Sequence, residues 1–505
     1  MPRNKIRKIL IANRGEIALR VIRTCRELGI RTVAVYSDAD RAMPHVLNAD
    51  EACRIGPPPS KDSYLSMDNI LRAAQETGAD AIHPGYGFLS ENAEFARRVA
   101  AAGLRFIGPS PEAIKAMGDK TEARRLVQKA GVPTVPGTEG ALNSEEDARR
   151  FCDQHGFPVL IKAAAGGGGK GMRIVNNVRD LPSSFASAQS EARSAFGDPR
   201  VYIEKYLEGP RHIEFQILAD HYGHTIHLGE RECTIQRRHQ KIVEETPSVI
   251  VDDRVRARMG ETAVNAAKAC GYRNAGTIEF LVDADRNFYF LEMNTRLQVE
   301  HPVTELRTGL DLVAQQIRIA EGEELGFRQE DVQFRGHAIE CRICAEDVEN
   351  GFLPVTGRVT HLKPSQGIGV RDDRGVEAGD DVSVYYDSLI AKLIVWGGTR
   401  GEAIERMKRA LAEYEILGVR TTIPLCLFVM QHPKFIDGDF TTHFLNTHFP
   451  AKDGCQQSES TRRAAAILCA LIEDQSRHAT PALQHSSSNG NGFAWKMQRL
   501  ALMRT

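Results

Sequence analysis

Nothing in the 505 residues approaches a run of about 18 consecutive apolar side chains, so no segment reads as a helix that crosses a membrane. Charge of one sign is not in excess either. The formal net charge is -1, which gives no basic footprint for nucleic acid and no polybasic face for a membrane surface. Cysteine is sparse, with 10 residues scattered along the chain, a usage that fits reduced thiols better than a disulfide scaffold. Cys341 and Cys344 form a Cys-x-x-Cys without a second pair, and on a strand their sulfurs would point to opposite faces, which argues against a metal site. Two nucleotide signatures are also missing. Asn13-Arg14-Gly15-Glu16 stands where a Gly-x-Gly-x-x-Gly turn would follow the first strand, and no Gly-Lys precedes Ser or Thr at a helix start. Met1 to Lys8 leads directly into a strand-like Ile9 to Ala12 with no apolar leader, so a cytoplasmic protein is expected.

What is present is ordinary for a folded chain: 42% hydrophobic and 26% charged residues. The length allows roughly three domains at about 150 residues each. Up to about residue 118, strand and helix patterns alternate: Lys8 to Ala12, helix Gly15 to Gly29, Arg31 to Tyr36, Asp80 to Ile82 and Phe106-Ile107. This is the pattern of a doubly wound α/β unit with a parallel sheet. The loop His83-Pro84-Gly85-Tyr86-Gly87-Phe88 follows a strand, where such sheets carry ligands, although a plain Gly/Pro turn reads equally well.

The next section opens at Met117-Gly118-Asp119-Lys120 with a helix to Ala130. A strand ending at Lys162 and a second from Met172 to Val175 enclose Gly166, Gly167, Gly168, Gly169, Lys170 and Gly171. Glycines between strands permit close backbone approach and can cradle phosphate oxygens. Lys162 and Lys170 would add charge, and the segment reads as a movable lid over a nucleotide, with a flexible hairpin tip as the plainer alternative. Val201 to Leu207 runs from strand to polar hinge. It could present Glu204 to ribose or base, and the backbones of Lys205 and Leu207 to adenine. His212 to Ala219 is a strand, while His221, His224 and His227 alternate faces and make a poor metal triad. Glu230 to Glu245, with Gln236, His239 and Lys241, is dense in donors, and its default reading is a solvated charge run.

Between Phe288 and Pro302 an apolar strand turns abruptly into Glu292, Asn294, Arg296, Gln298 and Glu300. If the extended conformation continues, Glu292, Asn294 and Arg296 share one face, about 7 Å apart in succession. The preceding strand, Thr277 to Val282, joins it through Asp283 to Asn287, a turn-rich connector that predicts a hairpin with Glu279 facing Glu292. Carboxylates and an amide are hard oxygen ligands that suit Mg²⁺ or Mn²⁺ bridging to phosphate. A salt-bridged, solvated strand end is the alternative. From about 339 the pattern is β-rich, ending near Phe449 after a helix from Arg400 to Tyr414; beyond lie an amphipathic helix, Thr461 to Ile472, and a linker, Ser486 to Gly492.

Taken together, Asn13 to Ala18, His83 to Asn92, Gly166 to Met172, Gln236 to Lys241, Glu292 to Pro302 and Tyr385-Tyr386-Asp387-Ser388 resemble biotin carboxylase, an ATP-grasp ligase, from about residue 6 to 449. The resemblance implies an α/β fold, α+β in part: a doubly wound sheet over 1–118, an ATP-grasp domain over 119–338 with a mobile lid over about 134–207, a β-rich, barrel-like domain over 339–450, and a tail over 451–505. It implies ATP- and bicarbonate-dependent carboxylation of biotin on a carrier protein, by way of carboxyphosphate and CO₂. Lys120, Lys162, the Gly166 to Gly171 loop, Glu204, Lys205, Leu207, His212, Gln236, His239, Glu279 and Glu292 match nucleotide-binding positions. Glu279, Glu292 and Asn294 match ligands of two Mg²⁺ or Mn²⁺ ions. Lys241, Arg296, Gln298, Val299 and Glu300 match the bicarbonate pocket, with Glu300 as base and Arg296, Lys241 and Arg342 completing the catalytic set. Tyr86 and Arg342 match the biotin side. Expected partners are a biotin carboxyl carrier protein, carboxyltransferase subunits and a second copy of the chain, in contact near Arg23 and Glu27. The acyl acceptor would be acetyl-CoA, or else pyruvate or another acyl-CoA. Another ATP-grasp ligase and a silent scaffold are the rivals; Arg342 and an intact Lys241, Glu292, Arg296 and Glu300 speak against them.

Overall fold

In the computed structural model, which describes residues 5–138, 140–142, 144–164, 172–238, 240–449 and a few helical positions between 463 and 471, the apolar runs of the first section become short parallel strands. These are β1 (Lys8–Ile11), β2 (Arg31–Ser37), β3 (Glu51–Gly56), β4 (Ala81–His83) and β5 (Arg105–Phe106), in the order β3-β2-β1-β4-β5. The predicted first helix is α1 (Gly15–Glu27), two residues shorter than expected because Gly29 already turns with φ +70°. The strand order reverses between β1 and β4, so the loops after those strands meet. Asn13 locks them together: its Nδ2 donates to the carbonyls of Pro84, at 2.7 Å, and Tyr86, at 2.8 Å.

A small antiparallel sheet follows, β7-β6-β8, from β6 (Val159–Ala163), β7 (Arg173–Val175) and β8 (Val201–Lys205). Helices Glu145–His155 and Leu181–Phe196 cover it with a core of its own, including Ile161, Val175, Phe185 and Ile203. Gly166 to Gly169, Lys170, Gly171 and His239 lie outside the described residues, as does the Ser486 to Gly492 linker.

The site is carried by a long sheet. Its strands β9 (Arg211–Ala219), β10 (Thr225–Arg237), β11 (Gln240–Thr246), β12 (Asn274–Val282), β13 (Phe288–Asn294) and β14 (His337–Cys344) pair in the order β13-β12-β9-β10-β11-β14. The donor-dense stretch from Glu230 to Glu245 is therefore not a solvated run. It forms the β10–β11 hairpin, and Glu230, Arg231, Glu232, Glu244 and Glu245 are all buried, each supplied with an oppositely charged or hydroxyl partner. His224 pairs with Asp220 and His221 with Arg273, so those histidines serve separate turns.

Past β14 come two- and three-residue ribbons, β15 (Glu346–Asp347), β16 (Leu353–Pro354), β17 (Gly357–Arg358) and β18 (His361–Lys363), then β19 (Val370–Arg374), β20 (Asp381–Val382), β21 (Leu389–Gly397) and β22 (Glu415–Leu417). β21 and β19 extend the long sheet beyond β14, giving eight strands among the described residues. The predicted β-rich region thus shares its sheet with the section before it. A core of Ile339, Leu393, Val395, Met407 and Leu425, with Ile242 and Val243 from β11, joins the two.

Candidate active site

β12 and β13 form the predicted hairpin, and the register sets Glu279 opposite Glu292 and Thr277 opposite Asn294. β13 ends at Asn294, so the single shared face expected from Glu292 to Arg296 does not continue: Arg296 to Glu300 form a loop that bends back over the strand ends. Period-two alternation on the adjacent β9 brings His212, Glu214 and Gln216 to the same side.

These strands converge on one ammonium. Lys241 Nζ donates to Glu214 Oε2 at 2.5 Å, Glu300 Oε1 at 2.6 Å and Glu279 Oε1 at 2.9 Å. Arg342 reaches the far side of Glu300, with Nη2 donating to Oε2 at 3.0 Å and Nε donating to Glu244 Oε1 at 2.6 Å. Arg296 donates to Glu91 Oε2 at 2.9 Å, Gln298 Oε1 at 2.7 Å and Asn294 Oδ1 at 3.1 Å. Glu279 Oε1 also accepts from Asn294 and Gln298, and His212 Nε2 lies 3.0 Å from its other oxygen. The fully buried Arg231 backs the group through Glu214, at 2.6 Å.

The protonation states follow from this crowding. Burial pushes the Glu300 carboxyl up, but Lys241 and then Arg342 and Arg231 more than offset it and hold it well below the usual range. Glu300 also occupies the N-cap position of helix His301–Thr308, without a side-chain capping bond, at the end where the helix dipole favours an anion. Glu279 is likewise held low: burial opposes, Lys241 and His212 prevail. For Glu244 burial wins over Arg342, lifting it to about 7, and Glu214 is raised as well, by burial and then the neighbouring Glu300. Lys241 stays charged because its three carboxylates outweigh burial.

Other expected residues sit apart. Lys120 Nζ is 3.7 Å from Glu292 Oε2 at the rim. Glu204 is buried between Lys162 and Arg124, which both donate to it, and the Lys205 amide is already bonded to the Pro136 carbonyl, at 2.8 Å, so these hinge atoms bind the protein itself. Leu207 follows β8 in a partly exposed turn, and Gln236 pairs in register with Lys241. The Val299 carbonyl accepts from Lys392 at 3.0 Å. Tyr86 hydrogen-bonds Glu16 through its hydroxyl. Sequence reasoning missed Glu91, Glu214, Arg231, Glu244 and Lys392. Glu214 was findable, since it alternates with His212 on a recognised strand; Glu91 and Lys392 are brought in only by tertiary pairing.

The oxygen donors of Glu279, Glu292 and Asn294 fit a hard divalent cation. Glu292 is partly exposed beside Lys120, and the oxygens of Glu279 and Asn294 are directed by neighbouring donors rather than buried in apolar surroundings.

Three family models match the chain: "Biotin carboxylase, N-terminal domain" over residues 5–114, "Carbamoyl-phosphate synthase L chain, ATP binding domain" over 119–328, and "Biotin carboxylase C-terminal domain" over 340–447. Biotin carboxylase 1 of Bacillus subtilis is 55% identical over 444 residues, 88% of this chain and 99% of that protein. A pyruvate carboxylase subunit of Methanothermobacter thermautotrophicus is 56% identical over 441 residues, 87% of this chain and 90% of that one. Among solved structures, a Campylobacter jejuni biotin carboxylase–β,γ-ATP complex superposes with a TM-score of 0.86 at 49% identity, covering 88% and 99% of the two chains. The biotin carboxylase domain dimer of Hydrogenobacter thermophilus 2-oxoglutarate carboxylase, in complex with MgADP, ADP and bicarbonate, gives 0.85 at 51% identity, covering 88% and 98%. Fold and site define an ATP-dependent ligase of the ATP-grasp type. The chain belongs to the biotin carboxylase family. Among the described residues, no helix is long and apolar enough to cross a membrane.

Proposed function

We propose that this chain carboxylates biotin carried on a separate carrier protein, using ATP and bicarbonate, and that the observation carrying the reading is Glu300 held between Lys241 and Arg342. Bicarbonate is a poor electrophile. Glu300 takes its proton, the freed oxygen attacks the γ-phosphorus of ATP, and ADP leaves; such a transfer needs positioning and charge neutralisation more than covalent help. Arg296, planar and always charged, orients the bicarbonate with Gln298 and Val299. Carboxyphosphate then divides into CO₂ and phosphate, the phosphate accepts the N1 proton of biotin, and N1 attacks CO₂ while Arg342 stabilises the enolate oxygen.

Lys120, Lys162, Glu204, Lys205, Leu207, His212, Gln236 and His239 would surround the nucleotide, with Gly166 to Gly171 as lid. Glu279, Glu292 and Asn294 would hold Mg²⁺ or Mn²⁺, which supplies charge neutralisation on the phosphates when bound. In the relative whose structure includes MgADP and bicarbonate the same three classes of ligand are present together, which supports this assignment. Tyr86 and Arg342 would face biotin. Domain divisions at 118, 338 and 450 belong to the same reading, supported by family models that end at 114, 328 and 447.

The finer reading is a cytoplasmic enzyme, in keeping with the free cysteines among the described residues, working as a homodimer through α1, where Arg23 and Glu27 are exposed. The acceptor assigned to the complex is acetyl-CoA, giving malonyl-CoA for fatty acid synthesis. A pyruvate or propionyl-CoA acceptor is the second reading, favoured by relatives of those names. The test is bicarbonate-dependent ADP release stimulated by free biotin, with Glu300→Gln expected to lose about 10² to 10⁴ in rate. An unstimulated parent chain would sink the reading. Co-purification of the biotinylated carrier and its transferase would identify the acceptor.

A further inference from the structure

Lys392 on β21 is completely buried, at 0% exposure. An ammonium so placed must be neutralised and hydrogen-bonded. Its Nζ has two anchors from different parts of the molecule: the carbonyl oxygen of Val299, at 3.0 Å, and Glu16 Oε2 at the start of α1, at 3.1 Å. The other oxygen of Glu16 accepts from the Tyr86 hydroxyl, and the Tyr86 ring centre lies 5.9 Å from the ammonium.

Other anions near Lys392 are committed elsewhere or neutral. Asp373, opposite it in the β19–β21 register, is ion-paired with Arg371 at 2.7 Å. Glu340 has both oxygens buried without a hydrogen-bond partner among the described residues, and burial, against the pull of Lys392, keeps it protonated. Glu16, with Oε2 3.1 Å from the ammonium, is the carboxylate in direct contact, and Lys392 works against the burial that lifts it to about 7. A buried ammonium has three donors to satisfy, and one of them goes to the Val299 carbonyl, in the middle of the Gln298 to Glu300 loop.

We propose that Lys392 is a positioning residue for the carboxylation reaction: by holding the Val299 carbonyl and the Glu16–Tyr86 pair on one ammonium, it fixes the separation between the loop that takes bicarbonate and the loop that takes biotin. This rests on the assignment of those two loops made above. The β14–β21 register, which pairs Lys392 with Arg342, sets the strut directly beside the group that links the two half-reactions.

The test is steady-state kinetics of the full chain with ATP, bicarbonate and free biotin, comparing the parent with Lys392→Met. KM for biotin and KM for bicarbonate are both expected to rise by about tenfold or more, since displacements near 1 Å cost rate at this scale. KM for ATP should hold. Tyr86→Phe, which removes only the hydroxyl on Glu16, should raise KM for biotin alone and decides the matter if Lys392→Met does not fold. Unchanged biotin and bicarbonate constants in Lys392→Met, an ATP constant that rises in step with them, or an unchanged biotin constant in Tyr86→Phe would overturn the proposal while leaving an active parent intact. A parent chain without biotin-stimulated turnover would overturn the underlying reading, and the strut with it.

Discussion

Glu300 faces two cations, and a carboxylate stabilised in that way is a weak base, because proton-transfer efficiency is greatest when the pKa lies near the operating pH. Of the two, Lys241 is shared: it serves Glu214 and Glu279 as well as Glu300. Arg342 plays the other half. Arg342→Ala is expected to leave nucleotide affinity unchanged, measured by titration, and to cut biotin carboxylation by about 10² to 10³, the loss typical of one oxyanion donor. Its removal need not unfold the protein, since Glu244, lifted to about 7 by burial even against the pull of Arg342, rises further without that pull and takes up a proton. A second residue-scale outcome concerns pH. Glu245 sits between His337, at 2.7 Å, and Arg400, at 2.7 Å, and despite burial these partners hold it down at about 2, against 4.5 for a free side chain. Its folded pKa is depressed, so its contribution is complete above about pH 4.5 and is lost as pH falls toward 2. The amount is on the order of 3 kcal/mol. Thermal melts of Glu245→Gln should therefore be less stable than the parent at neutral pH and show a flatter acid limb, with the two curves converging near pH 2; parallel limbs would contradict the assignment.

At the scale of elements, the loop after β4 shows how much a tight turn asks of one residue. Gly85 adopts φ +63°, and a Cβ there would stand 2.8 Å from Asn13 Nδ2 and 3.1 Å from Ile17 Cγ1. Both the backbone conformation and the space demand glycine. Gly85→Ala is expected to cost about 1 to 3 kcal/mol and to displace Tyr86, raising KM for biotin more than KM for ATP; equal effects on both would mean that the loop serves only stability. Much of this level was legible in the chain. The alternation of β1 to β5, the Glu279 to Glu292 hairpin and the strand ending in metal-type ligands follow from period and turn chemistry. The β10–β11 hairpin did not, because Glu230, Arg231, Glu232, Glu244 and Glu245 are buried beside Ile235, Ile242 and Val243, so the apolar alternation is broken by charge. Charge there is tolerated only where strands from β9, β12 and β14 supply counter-charges, and single-sequence periodicity carries no sign of those partners. The end of β13 was misjudged for a related reason: Arg296 leaves the extended path to reach Glu91, a residue more than 200 positions away.

For the whole molecule, the long sheet sets what can be separated. Position 338 is a natural boundary by pattern, yet β11 pairs with β14 across it, with Val243 opposite Cys341 and Thr246 opposite Ala338. Ending the chain at residue 338 would strip β11 of its neighbour, leave a row of unpaired backbone groups on a long edge, and uncover Ile242 and Val243, which pack against Ile339 and Leu393 in one core. It would also remove Arg342 and Lys392, and with them one face of Glu300. Such a chain is expected to aggregate and to lose biotin-stimulated turnover. Ending the chain at 450 removes none of these contacts, and the family models stop at 447. That shorter protein should keep the parent's melting temperature to within a few degrees, a shift equivalent to about 1 kcal/mol or less in a chain of this size, and should keep its kinetic constants. If the protein truncated at 338 instead unfolded cooperatively and bound ATP with the parent's affinity, the sheet would not be the single unit described here, and the coupling of Glu300 to Arg342 across β14 would have to be an adjustable contact between separately folded parts.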